Sequence, residues 1–436
     1  MTKYTEPTFE SYSDTCRRLF PELFDTENKI LTLTFQVTED CCMACSYCYQ
    51  HNKSKNKMSF NTAKQIIDNL LSNDECYNTS NTNGIIIEFI GGEPLMEIDL
   101  IVQIADYFVL QCLEKKHRFL NHFMFSMASN GLLYFEDKVQ NFMKKYKDHI
   151  SYTVSIDGNK ELHDACRVDL DGNGTYDRAL AAEMHYCKYY NHSLETKMTL
   201  SPFNISHTYN AVINLIELGY ESISLNCIFE EGWEIEHAKI LYQEMKKIAD
   251  WLFEHDAFRK YRISLYDQSI GSPLSNENTN NWCGGVCNGM LAFDYKGKAY
   301  PCIRYMESSL NEKQIPYSIG DLNGLFKTDI EKARLELMNS ITRQSQSTEE
   351  CLNCPIASGC AWCSGYNYEQ FGTPNKRATY ICWMHKARSL ANAYYYNKGY
   401  NLLNEKTRFI IHLPEEEALQ IISKKEWEML KHYENQ

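Results

Sequence analysis

Eleven of the eighteen cysteines fall into three groups spaced for iron–sulfur ligation, and the first group, Cys41, Cys45 and Cys48, directly follows an apolar run. Thiolates are the usual holders of such clusters, and three of them on a four-iron cubane leave one iron open to an outside ligand. Spacers of three and two residues let a single loop wrap one corner of the cubane. A zinc loop completed by His51 is the competing reading, but structural zinc sites favour paired two-residue spacers. Cys42 falls between the ligands as a bystander.

Other chemistry-bearing residues recur at the ends of strand-like runs. In Gly91-Gly92-Glu93-Pro94 the glycines permit close backbone approach, and the carboxylate can accept hydrogen bonds from a ligand ammonium. Ser129-Asn130-Gly131 and Ser155-Ile156-Asp157-Gly158 offer short polar side chains suited to ribose hydroxyls, although both are also common turn sequences. Arg167 can pair its planar guanidinium with a ligand carboxylate, a task that suits Arg better than Lys. Downstream stand Cys283, Cys287 and Cys302, then Cys351, Cys354, Cys360 and Cys363, and finally Cys382, enough for two fully ligated four-iron clusters. A zinc ribbon is the alternative there, but the two Cys-x2-Cys pairs lie too close together for its usual spacing. Cys16, Cys76, Cys112, Cys166, Cys187 and Cys227 read as small buried hydrophobes.

The elements that must position these residues alternate regularly. Strands are predicted at 31–37, 85–90, 123–128, 151–156, 196–200 and 222–229, with amphipathic helices at 61–71, 100–114, 135–147, 176–190, 208–218 and 236–253. Six strand-then-helix units imply a parallel sheet by the right-handed crossover rule. The fold class is therefore α/β, a partial (β/α)6 TIM-like barrel with its chemistry at the carboxyl ends of the strands. The predicted organisation is a helical preface over 1–29, the barrel over 30–270, a cysteine-rich domain over 283–385 and a helical tail over 386–436. The polar stretch 271–282 marks the boundary, and two strands are predicted to meet at 294–298. A helical run is predicted at 386–397 and a final helix around 415–433.

Composition bounds the partners. At 436 residues and 44% hydrophobic content the chain can bury real cores, while a formal charge of −13 argues against nucleic acid. No run reaches the ~18 apolar residues of a membrane span, and the polar, acidic start lacks a signal-peptide layout. The expectation is a cytoplasmic protein with no membrane association. In that compartment clustered cysteines point to metal rather than disulfides.

The loop TEDCCMACSYCYQ, with aromatic Tyr47 before the last cysteine, resembles the radical S-adenosylmethionine (SAM) superfamily. The resemblance spans roughly residues 30–385. It implies that Cys41, Cys45 and Cys48 hold a 4Fe-4S cluster whose open iron binds SAM. It also implies that Gly91, Gly92 and Glu93 receive the SAM amino group, with Tyr47, Ser129, Asn130, Ser155, Asp157 and Arg167 around the rest. One-electron cleavage of SAM would then give a 5′-deoxyadenosyl radical, fed by a donor such as flavodoxin or ferredoxin.

The later cysteines resemble the SPASM extension of peptide-modifying members. By that resemblance Cys283, Cys287, Cys302 and Cys363 hold one auxiliary 4Fe-4S cluster and Cys351, Cys354, Cys360 and Cys382 a second, three clusters in all. One departure is the two-residue gap between Cys360 and Cys363, where the usual pattern has three.

Two substrate readings follow. Anaerobic sulfatase-maturing enzymes oxidise a Cys or Ser to formylglycine and carry an aspartate, thought to accept the proton, just after the cysteine matching Cys302; this chain has Ile303 there. The stretches VTEDC, GGEPLMEIDL and CWMHKA resemble instead the clostridial-type maturases of Cys-rich precursor peptides, which implies a Cys thioether of sactipeptide or ranthipeptide type. A non-catalytic electron carrier is the reading from another class, and it leaves Glu93, Ser155 and Arg167 without a use.

Overall fold

The computed structural model describes residues 29–230, 232–274, 283, 289–360 and 362–436. The predicted preface, most of the boundary stretch and Cys287 lie outside these residues. Strand β1, Lys29–Gln36, pairs in parallel with β2, Thr82–Ile90; β3, Phe123–Ser129, and β4, Ile150–Val154, continue the sheet. A second parallel sheet holds β5, Glu195–Leu200, β6, Ser222–Cys227, and the short β7, Arg262–Ile263. Helices Phe60–Leu70, Ile98–Lys115, Asp137–Lys145, Tyr176–Tyr190, Thr208–Glu217 and Ile235–Glu254 follow the strands in turn. The six predicted strand–helix units are thus all present in a mostly parallel α/β fold.

Burial explains why β1 reads as nearly continuous. Leu33, Phe35 and Val37 are fully buried, and so are the intervening Thr34 and Gln36, because a parallel strand is covered on both faces. The polar residues are satisfied across the chain: Thr34 donates to Glu88 at 2.7 Å, and Gln36 donates to the Ser308 hydroxyl at 2.7 Å. Phe35 and Phe89 sit in register, with ring centroids 6.4 Å apart, and Phe89 reaches Phe125 at 5.9 Å. This aromatic row fixes the register of the three strands whose ends carry the cysteine loop, Glu93 and Ser129.

Between β4 and β5 a side chain bridges the two sheets. The Thr196 hydroxyl accepts from the Ile156 amide at 3.2 Å and lies 3.1 Å from its carbonyl. This join passes directly beside Asp157.

The cysteine-rich region continues the barrel sheet. Strand β8, Met290–Phe293, runs parallel to β1 and turns at 294–298 into antiparallel β9, Lys298–Tyr300, as predicted; β10, Gly320–Asp321, and β11, Gly324–Leu325, finish the edge. Several helices differ from expectation. Lys160–Cys166, capped by Asn159 accepting from the Leu162 amide, and Asp329–Ser340, with a Thr328–Glu331 capping box, were not anticipated. The single final helix expected around 415–433 is two, Glu415–Ala418 and Lys424–Asn435, because Ser423 and Glu426 form a new N-terminal cap. The run expected at 386–397 is longer, Cys382–Leu402, and starts at a candidate ligand. Among the described residues no helix is long and apolar enough to cross a membrane.

Candidate iron–sulfur and SAM site

The loop after β1 is anchored on both sides. The Ala44 amide donates to the Val168 carbonyl at 2.9 Å and the Ser46 amide to the Cys166 carbonyl at 3.0 Å, so the loop lies against the segment carrying Arg167. On the other side the Glu93 amide donates to the Asp40 carbonyl at 2.9 Å. Gly91 and Gly92 make this possible: a Cβ on Gly92 would lie 2.3 Å from the Asp40 carbonyl oxygen and 2.7 Å from Cys41 Cβ, and one on Gly91 2.5 Å from the Thr38 oxygen. Gly92→Ala is therefore expected to displace the loop, costing about 1–3 kcal/mol as overpacking does. Denaturant melts beside Gly232→Ala, whose added Cβ would meet nothing within 4 Å, check this.

The charges of three thiols bear on one ammonium. Cys41, Cys45 and Cys48 all act on Lys53 and hold its pKa up against the opposing effect of burial, while Lys53 Nζ donates to the Met43 carbonyl at 3.3 Å. Burial pushes the Cys45 thiol up, and the Arg167 and Lys53 charges oppose that. Cys42 accepts from Asn130 Nδ2 at 3.3 Å and also hydrogen-bonds Cys41, which raises Cys41 and lowers Cys42. Among the described residues no three His, Cys, Asp or Glu side chains close on one ion position. A cubane spreads its thiolates over separate irons, and three soft donors beside two cations suit an anionic cluster.

Glu93 is buried and held by three donors: the Leu95 amide at 3.1 Å, Ser129 Oγ at 2.8 Å and the Asn130 amide at 2.8 Å. Burial outweighs these bonds and pushes its carboxyl up to about 7. Ser129 thus orients Glu93, and Asn130 serves both Glu93 and Cys42. The Ser155 amide donates to the Ser129 carbonyl at 3.0 Å, which ties the β4 end to the β3 end.

Asp157 is wholly buried and already has three donors. Arg167 Nε bonds it at 2.8 Å, the Thr199 amide at 2.9 Å, and the Tyr47 hydroxyl bonds the same oxygen as Arg167. Arg167 also lies 5.3 Å from the Tyr47 ring centroid. In this arrangement Tyr47, Asp157 and Arg167 brace the cysteine loop against β4 and β5. The fixed spacing of Tyr47 from Cys48 was the only sequence signal for that link.

The later cysteines gather into two groups. Cys302 is raised by burial and then by Cys363 and Cys283, and Cys283 Sγ lies 3.3 Å from Ser364 Oγ, next to Cys363 in the chain. Cys382 is pushed up to about 12 by burial and by Cys360 and Cys351; Cys360, pushed up to about 11 by burial, also feels Cys354. Buried neutral thiols must lose protons to bind metal, so cluster loading releases acid. Buried Arg343 and Arg377 act on Cys360 and have no periodic or motif signal in sequence, while Arg304, which acts on Cys363, follows Cys302 closely but carries no role in the sequence reading.

A partial parallel barrel with a three-cysteine loop at its first strand end, joined to a cysteine-rich C-terminal domain, is the architecture of radical SAM maturases, and the chain has their fold. A family described as a 4Fe-4S single cluster domain matches residues 32–180. An uncharacterized protein of Methanocaldococcus jannaschii is 31% identical over 196 residues, which are 45% of this chain and 62% of that protein. The cysteine-type anaerobic sulfatase-maturating enzyme of Clostridium perfringens is 23% identical over 281 residues, 61% of this chain and 72% of the relative. Among solved structures, native anSMEcpe with bound AdoMet and Kp18Cys peptide superposes with a TM-score of 0.60 at 17% identity, covering 86% of this chain and 99% of that one. Streptococcus suis SuiB bound to precursor peptide SuiA does so at 0.52 and 16%, covering 87% and 84%.

Proposed function

We propose that the protein is a radical SAM enzyme that modifies a ribosomally made Cys-rich peptide by forming a Cys thioether. The observation that carries this reading is the seating of the Cys41–Cys48 loop between the Glu93 turn, through the Glu93 amide on the Asp40 carbonyl, and the Arg167 segment, through the Ala44 and Ser46 amides. In this reading Cys41, Cys45 and Cys48 hold the SAM-binding cluster, and the two later groups hold auxiliary clusters, Cys287 completing the first. Bound there, SAM and its cluster supply a carbon radical able to abstract a hydrogen atom. The chain's own work is placement: Glu93 receives the SAM ammonium, Ser129 and Asn130 orient Glu93, and Asp157 fixes Arg167 and Tyr47 against the loop. The relatives that bind peptides support a peptide substrate, and a small one-electron protein such as flavodoxin or ferredoxin would supply the reductant.

Incubation of the iron-loaded, dithionite-reduced protein with SAM under strict anaerobiosis is expected to yield 5′-deoxyadenosine. Co-expression with a Cys-rich precursor is expected to remove about two hydrogens and one reactive thiol per crosslink. No deoxyadenosine would sink the enzyme reading in favour of an electron carrier. A formylglycine product would replace the thioether with sulfatase-type maturation, a reading favoured by the clostridial relatives and opposed by Ile303.

SAM binding is also expected to depend on pH through Glu93. Its carboxyl titrates near 7 in the folded protein against 4.5 for the free group, so the ligand-free fold loses stability as pH rises from about 4.5 through about 7. A bound ammonium favours the charged form. SAM affinity should therefore fall up to ~10-fold per pH unit below about 7, measurable by calorimetric titration of the loaded protein.

A further inference from the structure

Between the SAM-loop cysteines and the first auxiliary group lies a charged cluster that no motif announced. Arg304, two residues after Cys302, bonds Glu230 at 2.6 Å and lies 3.9 Å from Glu369 Oε2. Its guanidinium sits 4.7 Å from the ring centroid of Tyr49, the neighbour of Cys48, and 5.7 Å from that of Tyr366. Glu230 follows β6 at the carboxyl end of the barrel, and Glu369 and Tyr366 stand on helix Ser364–Phe371, which begins at Cys363. Four separate elements thus bring their polar ends to the gap between the two thiol groups.

Glu369 differs from its neighbours in how it connects that gap to water. Its side chain is 4% exposed, while His51, whose Nε2 lies 3.5 Å from Oε1, is 39% exposed. The other oxygen, Oε2, is buried with no hydrogen-bond partner among the described residues and is directed toward Arg304. One carboxylate oxygen therefore faces the interior and the other a solvent-exposed imidazole. Burial raises the Glu369 carboxyl, with Arg304, His51 and a hydrogen bond from the Asn311 backbone opposing and Glu230 reinforcing; Tyr366 and Tyr380 also face it.

We infer that Glu369 accepts the proton released from the peptide thiol and passes it through His51 to solvent. This rests on the thioether reading above. Joining a C–H carbon to an S–H sulfur gives one C–S bond and releases two hydrogens. One leaves as an atom with the deoxyadenosyl group. The other leaves as a proton to Glu369 Oε2, and the remaining electron goes to an iron–sulfur cluster acting as one-electron acceptor. A buried reaction needs such an acceptor, and a carboxylate with one unpartnered buried oxygen and the other beside an exposed imidazole suits it. Ile303, which follows Cys302, offers no base.

The test compares wild type, Glu369→Gln, Glu369→Asp and His51→Phe, each checked for iron content and thermal midpoint, on a pool of synthetic Cys-rich peptides deuterated at carbon. Glu369→Gln should keep deuterium transfer into 5′-deoxyadenosine while crosslinked product falls ~100-fold or more; Glu369→Asp should recover part of it, and His51→Phe should lose about 10-fold with an altered pH profile. Product within threefold of wild type for Glu369→Gln, at normal iron content, would overturn the inference alone. A wild type that cleaves SAM yet leaves every peptide thiol free would overturn the thioether reading beneath it.

Discussion

Cys45→Ala is expected, on the proposed three-cluster assignment, to abolish 5′-deoxyadenosine formation while leaving the two later cysteine groups loaded, so that iron content falls by about a third, from about twelve to about eight atoms per chain. Cys45 is the informative choice among the three. Cys41 shares a hydrogen bond with Cys42, and a neighbouring thiol could take the place of a missing Cys41. Cys45 has no adjacent thiol, and its loop is pinned one residue later by the Ser46 amide on the Cys166 carbonyl at 3.0 Å. The backbone should therefore survive the substitution while the site loses a ligand. Lys53→Met offers a graded comparison. It removes the ammonium on which the three thiols act, and its loss should weaken cluster retention without preventing assembly. Iron analysis, spin-resonance spectra of the reduced protein and chromatographic detection of deoxyadenosine check both. Wild-type SAM cleavage by Cys45→Ala would transfer the chemistry to another cysteine group.

The strand ends were legible because a parallel sheet buries both faces of each strand and so writes short apolar runs with chemistry just beyond them. Glu93 could be found that way: two glycines and a proline after an apolar run mark a turn in tight contact with something. What that something is, the Asp40 carbonyl, depends on a loop fifty residues earlier and leaves no periodic trace. The same limit hid Arg304, Glu230 and Glu369. Each is an ordinary charged residue in its own stretch, and only the approach of helix Ser364–Phe371 to the turn after Cys302 unites them; a Cβ on Gly365 would lie 2.5 Å from Arg304 Cβ. Helix Asp329–Ser340 went unread because only Met338 in it is buried, leaving little apolar pattern. The opposite error occurred at the tail, where a run of acidic and basic residues read as one helix through Ser423 although a capping residue interrupts the backbone.

Asp157→Ala is expected to destabilise the fold by about 3–5 kcal/mol, the usual cost of breaking a buried ion pair from one side. The size follows from what remains. Asp157 is 0% exposed and Arg167 only 11%, so the abandoned guanidinium cannot turn out to water. The Thr199 amide and the Tyr47 hydroxyl lose their acceptor as well. Arg167→Met should cost less, since the carboxylate it leaves keeps both of those donors. The double variant, with neither charge buried, should be more stable than the sum of the single effects requires, by roughly 1–3 kcal/mol of coupling. Urea melts of the four proteins measure that coupling, and additive single effects would mean that the pair is not energetically joined. The consequence for function follows from position. Tyr47 stands between Cys45 and Cys48, and Arg167 acts directly on the Cys45 thiol. Freeing Tyr47 and Arg167 loosens the loop from the side opposite Glu93, so Asp157→Ala should retain less iron on this loop even where the chain remains folded.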